Sequence, residues 1–252
     1  MSRILLGTAG WSIPSAMGWE FPSAGSHLER YAQRFSAVEI NSSFHRPHRV
    51  GTYLRWAAAV PAGFRFSVKL PKAITHVRRL VAVDDLLAAF SREVAGLGEK
   101  LAVVLVQLPP SLTFDIDVAD DFLRLLRRHL DVGIVCEPRH ATWFTDEADA
   151  CLVLHQVARV AADPVLVAGG NRPGGWSRLQ YHRLHGSPRT YYSAYGDAAL
   201  RKLAGRLRSS DGPRGECWCI FDNTASSAAT ANALELSAIL DGSDPPELRT
   251  ST

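Results

Sequence analysis

Eight short apolar or β-branched segments recur along the chain, and most are followed by a stretch of helical periodicity. This βαβα alternation constrains the fold more than any other feature. The strand segments are Arg3 to Gly7, Ala37 to Ile40, Phe64 to Val68, Leu101 to Leu108, Val132 to Cys136, Arg159 to Ala162, Gln180 to Leu184 and Glu216 to Phe221. Helical patterns fit between them over His27 to Phe35, Gly51 to Val60, Asp84 to Leu97, Asp117 to Leu130, Asp146 to Val157, Asp197 to Arg208 and Ser226 to Leu240. Asp117 with Asp120 and Asp121, and Asp146 with Asp149, place acid in first helical turns, where the macrodipole favours it. After the sixth strand, Pro164 to Leu179 holds four glycines and two prolines, so a loop replaces the helix there. Strand starts lie roughly 30 residues apart and the length is 252, which together predict a single-domain (β/α)8 TIM barrel over residues 1–252. An open doubly wound sheet would want fewer strands and a glycine-rich first turn, which is absent.

A content of 46% hydrophobic and 21% charged residues excludes disorder and fibrous structure. The longest uncharged stretch, Leu101 to Phe114, contains Gln107 and two prolines, so no membrane span is expected. Met1, Ser2 and Arg3 precede three apolar residues, too few for a secretory signal. Cys136, Cys151, Cys217 and Cys219 are too scattered for a disulfide framework, and a cytoplasmic location is expected. A formal charge of +3 does not indicate a nucleic-acid partner, although arginines dominate the basic residues: lysine occurs only at 69, 72, 100 and 202. The oligomeric state is not legible.

In a barrel, functional groups belong at the C-terminal ends of the strands, and polar residues follow nearly every strand here. They are Trp11 after the first, Glu39 and Asn41 at the second, Lys69 at the third, Gln107 at the fourth, and Glu137, Arg139 and His140 at the fifth. Asp163 ends the sixth, Arg183 and His185 the seventh, and Asp222 and Asn223 the eighth. Glu39 would move protons or pair with Arg183 across the lumen. Lys69 would hold an anion, form a Schiff base if desolvated, or bridge to Glu39 or Glu137. Arg139 suits a carboxylate or phosphate, and His140 titrates near neutrality. Asp163 and Asp222 are site carboxylates or caps. His182 and His185 lie on opposite strand faces, so the pair does not form a two-histidine zinc site. Phe44, Trp143 and Tyr191 are among the aromatics that could wall a pocket or simply close the barrel top.

The motifs Gly7-Thr8-Ala9-Gly10-Trp11-Ser12, Val38-Glu39-Ile40-Asn41-Ser42-Ser43-Phe44, Phe64-Arg65-Phe66-Ser67-Val68-Lys69 and Gln107-Leu108-Pro109-Pro110 occur in order. Glu137-Pro138-Arg139-His140, Arg183-Leu184-His185-Gly186, Tyr192 to Tyr195 and Phe221-Asp222-Asn223 follow. Together they resemble the YecE-like family, catalogued as domain of unknown function 72, from about residue 4 to 240. The resemblance implies a TIM-barrel fold and no established reaction. Pro138 stands where the family usually has an aromatic and His45 where it has a tyrosine, which bears on the pocket wall rather than on the charged groups.

The leading expectation is an enzyme (hydrolase, lyase or isomerase) acting on a small anionic or phosphorylated molecule. Its catalytic candidates are Glu39, Glu137, His185 and Asp222; Trp11, Asn41, Lys69, Gln107, Arg139, His140, Asp163, Arg183 and Asn223 are its binding candidates. One alternative is a metal-dependent phosphodiesterase or nuclease-like hydrolase, with a divalent metal as its cofactor and arginines on a nucleic-acid backbone. The other is a non-catalytic ligand-binding protein, which predicts a mouth whose side chains pair only with each other.

Overall fold

The computed structural model describes residues 3–209 and 215–242. Met1, Ser2 and the remaining ends of the expected 1–252 domain lie outside the described residues. Strands and helices alternate: β1 Ile4–Thr8, α1 His27–Tyr31, β2 Ala37–Ile40, α2 Val50–Ala58, β3 Arg65–Lys69, α3 Asp84–Val94, β4 Leu101–Gln107, α4 Ile116–His129, β5 Gly133–Glu137, α5 Asp146–Leu154, β6 Val157–Arg159, β7 Ala161–Asp163, β8 Gly174–Gly175, β9 Leu179–Leu184, α6 Asp197–Arg208, β10 Glu216–Phe221 and α7 Ala228–Asp241. Local chemistry sets several helix starts. Ser26 and Glu29 form a capping box on α1, Asp115 accepts from the Asp117 and Val118 amides of α4, and Thr145 caps α5. Asp120 and Asp121 fall past the first turn of α4, and both pair with Arg124.

The strands form a mixed α/β fold with two parallel sheets. One has the order β1-β10-β9-β7; the other has β2-β3-β4-β5-β6, with β8 added antiparallel at its edge. The expected sixth strand begins earlier than Arg159 and is divided between the sheets. Gln156, at φ 55°, ends α5, and the chain enters β6 at once. Val160 N still donates to Cys136 O of β5 (2.8 Å), whereas Ala162 is registered with Arg183 of β9. One segment therefore serves both sheets.

At the other seam, β1 and β2 meet through a single bridge, Ala9 to Glu39, with Gly10 N donating to Glu39 O (2.8 Å). The ladder is thus two sheets and not one continuous ring. Gly7 is required here, because a Cβ on it would lie 2.0 Å from Ala37 O. Residues 164–178 contain no helix, as their glycines and prolines dictate.

Strand alternation sorts the side chains. Phe66, Val68, Val104, Cys136, Cys217 and Cys219 pack in the apolar layer shared with the helices, and the four cysteines are buried and form no disulfide among the described residues. Leu5, Ala37, Val103, Leu105, Val135, Ala158, Leu179, Tyr181, Trp218 and Ile220 form a second cluster, drawn from both sheets. Tyr181 stacks on Trp218 at 5.6 Å within it. On β2, β3, β4, β5, β9 and β10, the positions that continue this inward parity toward the C-terminal ends are Glu39, Lys69, Gln107, Glu137, Arg183 and Asp222, and they lie directly above that apolar plug. Among the described residues, no helix is long and apolar enough to cross a membrane.

Candidate functional site

Arg183 is fully buried at the centre of the polar layer. Its Nη2 and Nε donate to Glu39 Oε1 (2.7 Å) and Oε2 (3.0 Å), its Nη1 to Glu137 Oε2, and its Nη2 also to Asp222 Oδ2 (2.8 Å). A buried guanidinium is tolerated only when compensated in this way. Three carboxylates from three strands thus converge on one fork.

Glu39 is equally buried. Its second oxygen also accepts from the Tyr181 hydroxyl (2.8 Å), which lies 2.9 Å from Ser67 Oγ. The pairing of Glu39 with Arg183, one of two readings the sequence allowed, is the one found, and it leaves Glu39 below the surface. Tyr181 and Ser67 escaped the sequence reading. Each lies two residues before a singled-out residue, Arg183 or Lys69, and the two-residue strand period was the signal for them.

His185 sits above the fork. Its Nδ1 is 3.1 Å from Asp222 Oδ2 and its Nε2 3.1 Å from Glu137 Oε1. Gln107 Nε2 (3.0 Å) and Arg139 Nη2 (3.0 Å) donate to the same Glu137 oxygen. Burial alone would raise both carboxyls. The Arg183 guanidinium, His185 and further cations outweigh it, holding Glu137 well below the ordinary range and Asp222 lowered. Burial likewise opposes the His185 imidazolium, but Glu137 and the Asp222 hydrogen bond win and raise it above 6.5. His182, on the opposite face of β9, is pushed by burial and Arg206 to about 4.

Because the folded-state value of His185 is raised, its imidazolium stabilises the fold in full below pH 6.5. That contribution is lost as the pH rises through the higher folded value. A ring-proton NMR titration is expected to give a midpoint above 6.5, and Glu137→Gln is expected to lower it by about 1–3 pH units. An unmoved midpoint would mean that Glu137 does not govern this ring.

Lys69 is held differently. Its carbonyl accepts from Ser43 Oγ (2.7 Å), its Nζ lies 4.2 Å over the Phe44 ring, and it is 8% exposed. No hydrogen bond or ion pair to its ammonium is found among the described residues, so neither salt bridge weighed from the sequence, to Glu39 or to Glu137, forms. Burial first and the Arg183 guanidinium second push it down to about 8, against the pull of Glu39, Glu137 and Asp222.

Two hollows flank the cluster. A recess of about 30 Å³ is lined by Glu137, Arg139, His185, Thr190 and, from the loop, Pro164, Leu166, Val167 and Gly170. A cleft of about 280 Å³ is lined by Ala9 to Ser12, His27 and Ile40 to Ser42. Asn41 joins that cleft to the cluster through a long contact from its Nδ2 to Asp222 Oδ1 (3.4 Å). Trp11 lines the cleft and packs edge-on against Trp56 (5.0 Å). Tyr191, at φ 70°, sets its ring edge-on to His185 (5.7 Å).

Three candidates are not brought into the cluster. Asp163 accepts from the Tyr195 hydroxyl (2.8 Å). Asn223 is buried and donates to Ser193 O and Asn232 Oδ1, both at 3.0 Å. His140 caps the short helical turn Ala141–Phe144 through the Thr142 amide (3.3 Å).

Comparison with known proteins gives the same fold and family. The chain superposes on a DUF72 family protein of Enterococcus faecalis V583 with a TM-score of 0.77 and 20% identity, covering 99% of both chains. It superposes on a DUF72 family protein of Thermotoga maritima MSB8 with a TM-score of 0.76 and 22% identity, covering 94% of this chain and 99% of that one. Among curated relatives it is 30% identical over 166 residues to UPF0759 protein YecE of Escherichia coli K12, and 27% identical over 150 residues to UPF0759 protein YunF of Bacillus subtilis 168. Those alignments cover 64% and 56% of this chain, and 59% and 52% of the relatives. The sequence model of the family described as Protein of unknown function DUF72 matches residues 5–251, and the chain belongs to that family.

Proposed function

We propose that this chain is an enzyme acting on a small anionic molecule by general acid–base chemistry, and that its two sheets are parts of one (β/α)8 barrel with the site at its C-terminal mouth. The barrel reading is supported by the segment shared between the sheets at one seam and by the Ala9–Glu39 bridge at the other. In this reading His185 moves protons, with Asp222 and Glu137 setting its tautomer and basicity. Lys69 and Arg139 receive the anion. Arg183 and Glu39 form the rigid floor beneath.

The observation that carries the proposal is the state of Lys69. The cluster's carboxylates are spent on Arg183, His185, Arg139 and Tyr181, and the Lys69 ammonium has no hydrogen-bond or ion-pair partner among the described residues, although a cation on a side chain buried to this degree calls for a negative charge. A purely scaffolding mouth would have paired every group and left no hollow. The metal-dependent alternative finds no such support: Arg183 stands where the carboxylates would have held a cation, and no group of three suitable ligands occurs among the described residues.

Inorganic phosphate, titrated calorimetrically and by the His185 ring resonances, is expected to bind and to shift those resonances. Arg139→Gln is expected to weaken the binding about tenfold, the loss of one charge-assisted contact. Absence of both heat and shift would remove the anion-site reading.

A further inference from the structure

The four lysines of this chain stand in different surroundings. Lys100 donates to Ala57 O and Val60 O (2.6 Å each), while Lys72 and Lys202 are exposed. Lys69 alone among them is buried with its amine uncommitted, resting on the Phe44 ring at the end of β3. Resting on the anion-site reading above, we propose that Lys69 is a nucleophile that forms a Schiff base with a small carbonyl compound carrying a carboxylate or phosphate group.

The surroundings match the chemistry at each step. Only the neutral amine attacks a carbonyl, and lysines become competent when desolvated or set beside another cation. Both conditions hold at Lys69, which is buried and lies in the field of Arg183. At neutral pH an amine pushed down to about 8 is neutral roughly three hundred times more often than an ordinary lysine.

The ammonium first releases one proton to a base. The amine lone pair then forms the C–N bond to the carbonyl carbon, and the carbonyl oxygen takes up a proton to give a carbinolamine. That hydroxyl gains a second proton and leaves as water while the nitrogen loses one, giving the iminium. Overall, ammonium plus carbonyl gives iminium plus water, and no oxidant or reductant is consumed. His185, flanked by the same Asp222 and Glu137 whose charges reach Lys69, is the group in this cluster suited to carry those protons. For the anionic end of the compound, Arg139 follows the end of β5 and the exposed Lys72 follows the end of β3, and after burial both, with Lys69, push the His76 imidazole down.

The test uses the full chain with glyoxylate, the smallest aldehyde bearing a carboxylate, and sodium cyanoborohydride at neutral pH. Peptide mass mapping then locates the carboxymethyl group among the four lysines. Labelling of Lys69 at least about tenfold faster than Lys72 or Lys202, slowed by added phosphate, is the expected result. Lys69→Arg should lose the fast labelling and keep phosphate binding. If Lys69 is labelled no faster than Lys72 and Lys202 in protein that binds phosphate, the nucleophile is overturned and the anion site stands. Fast labelling of Lys69 in protein that does not bind phosphate would support the nucleophile and overturn the anion-site reading instead.

Discussion

Arg183→Met is expected to destabilise the fold by about 3–5 kcal/mol in chemical denaturation, the cost of breaking a buried ion pair from one side. The size follows from what remains. Glu39, Glu137 and Asp222 would be left facing one another in a site almost closed to water, and Glu39 would keep only the Tyr181 hydroxyl. Arg183→Lys should recover part of the loss, because a point charge cannot reach three carboxylates as a planar fork does. A loss below about 1 kcal/mol for Arg183→Met would mean that the carboxylates find water or protons on their own, and the rigid floor assigned to this cluster would have to be abandoned.

The same comparison separates two residues that the sequence placed side by side as anion holders. Arg183 spends its contacts on three carboxylates and on His185 Nε2 of its own chain, so a ligand would have to displace a neighbour to reach it. Lys69 has no such commitment. The division rests on depth: Arg183 lies within β9 and is fully buried, whereas Lys69 is the last residue of β3, where the lumen opens.

The strand and helix order was legible because each βα unit carries its own pattern. Val38-Glu39-Ile40 put a carboxylate between apolar residues of a strand, but left open whether it faces the lumen or the helices. The division of the sixth strand was not legible, since the left-handed turn that ends α5 falls on Gln156, a residue with no marked preference for it. Convergence of the charges was legible from their position at strand ends, but not which partner each would choose. Parity explains two of the exceptions. Asp163, registered with Leu184, and Asn223, one residue past Asp222, fall on the parity opposite to Arg183, and His140 lies three residues beyond the end of β5; they turn toward Tyr195, Asn232 and Thr142 instead. Glu39, Gln107, Glu137 and Arg183, still within strand ladders, face inward together.

Lys69→Met is expected to do the opposite of Arg183→Met and stabilise the fold, by about 1–3 kcal/mol at pH 7, because a pKa pushed from 10.5 to about 8 measures a cation that the folded state disfavours. The sign follows from the depression: the charged lysine costs stability below its folded value, and the cost disappears as the pH rises past 10.5. Methionine keeps the length of the side chain and can rest on the Phe44 ring as the ammonium does now. The gain should therefore shrink between pH 8 and 10.5 in parallel denaturation curves of the two proteins. A lysine kept for packing or for an ion pair would give a loss, since its removal would open a gap or strand a carboxylate. A gain in stability accompanied by lost phosphate binding is the pattern of a residue held against the fold's own preference for the sake of a ligand. A destabilised Lys69→Met protein that still binds phosphate would return Lys69 to the structural network and leave the mouth without its anion receptor.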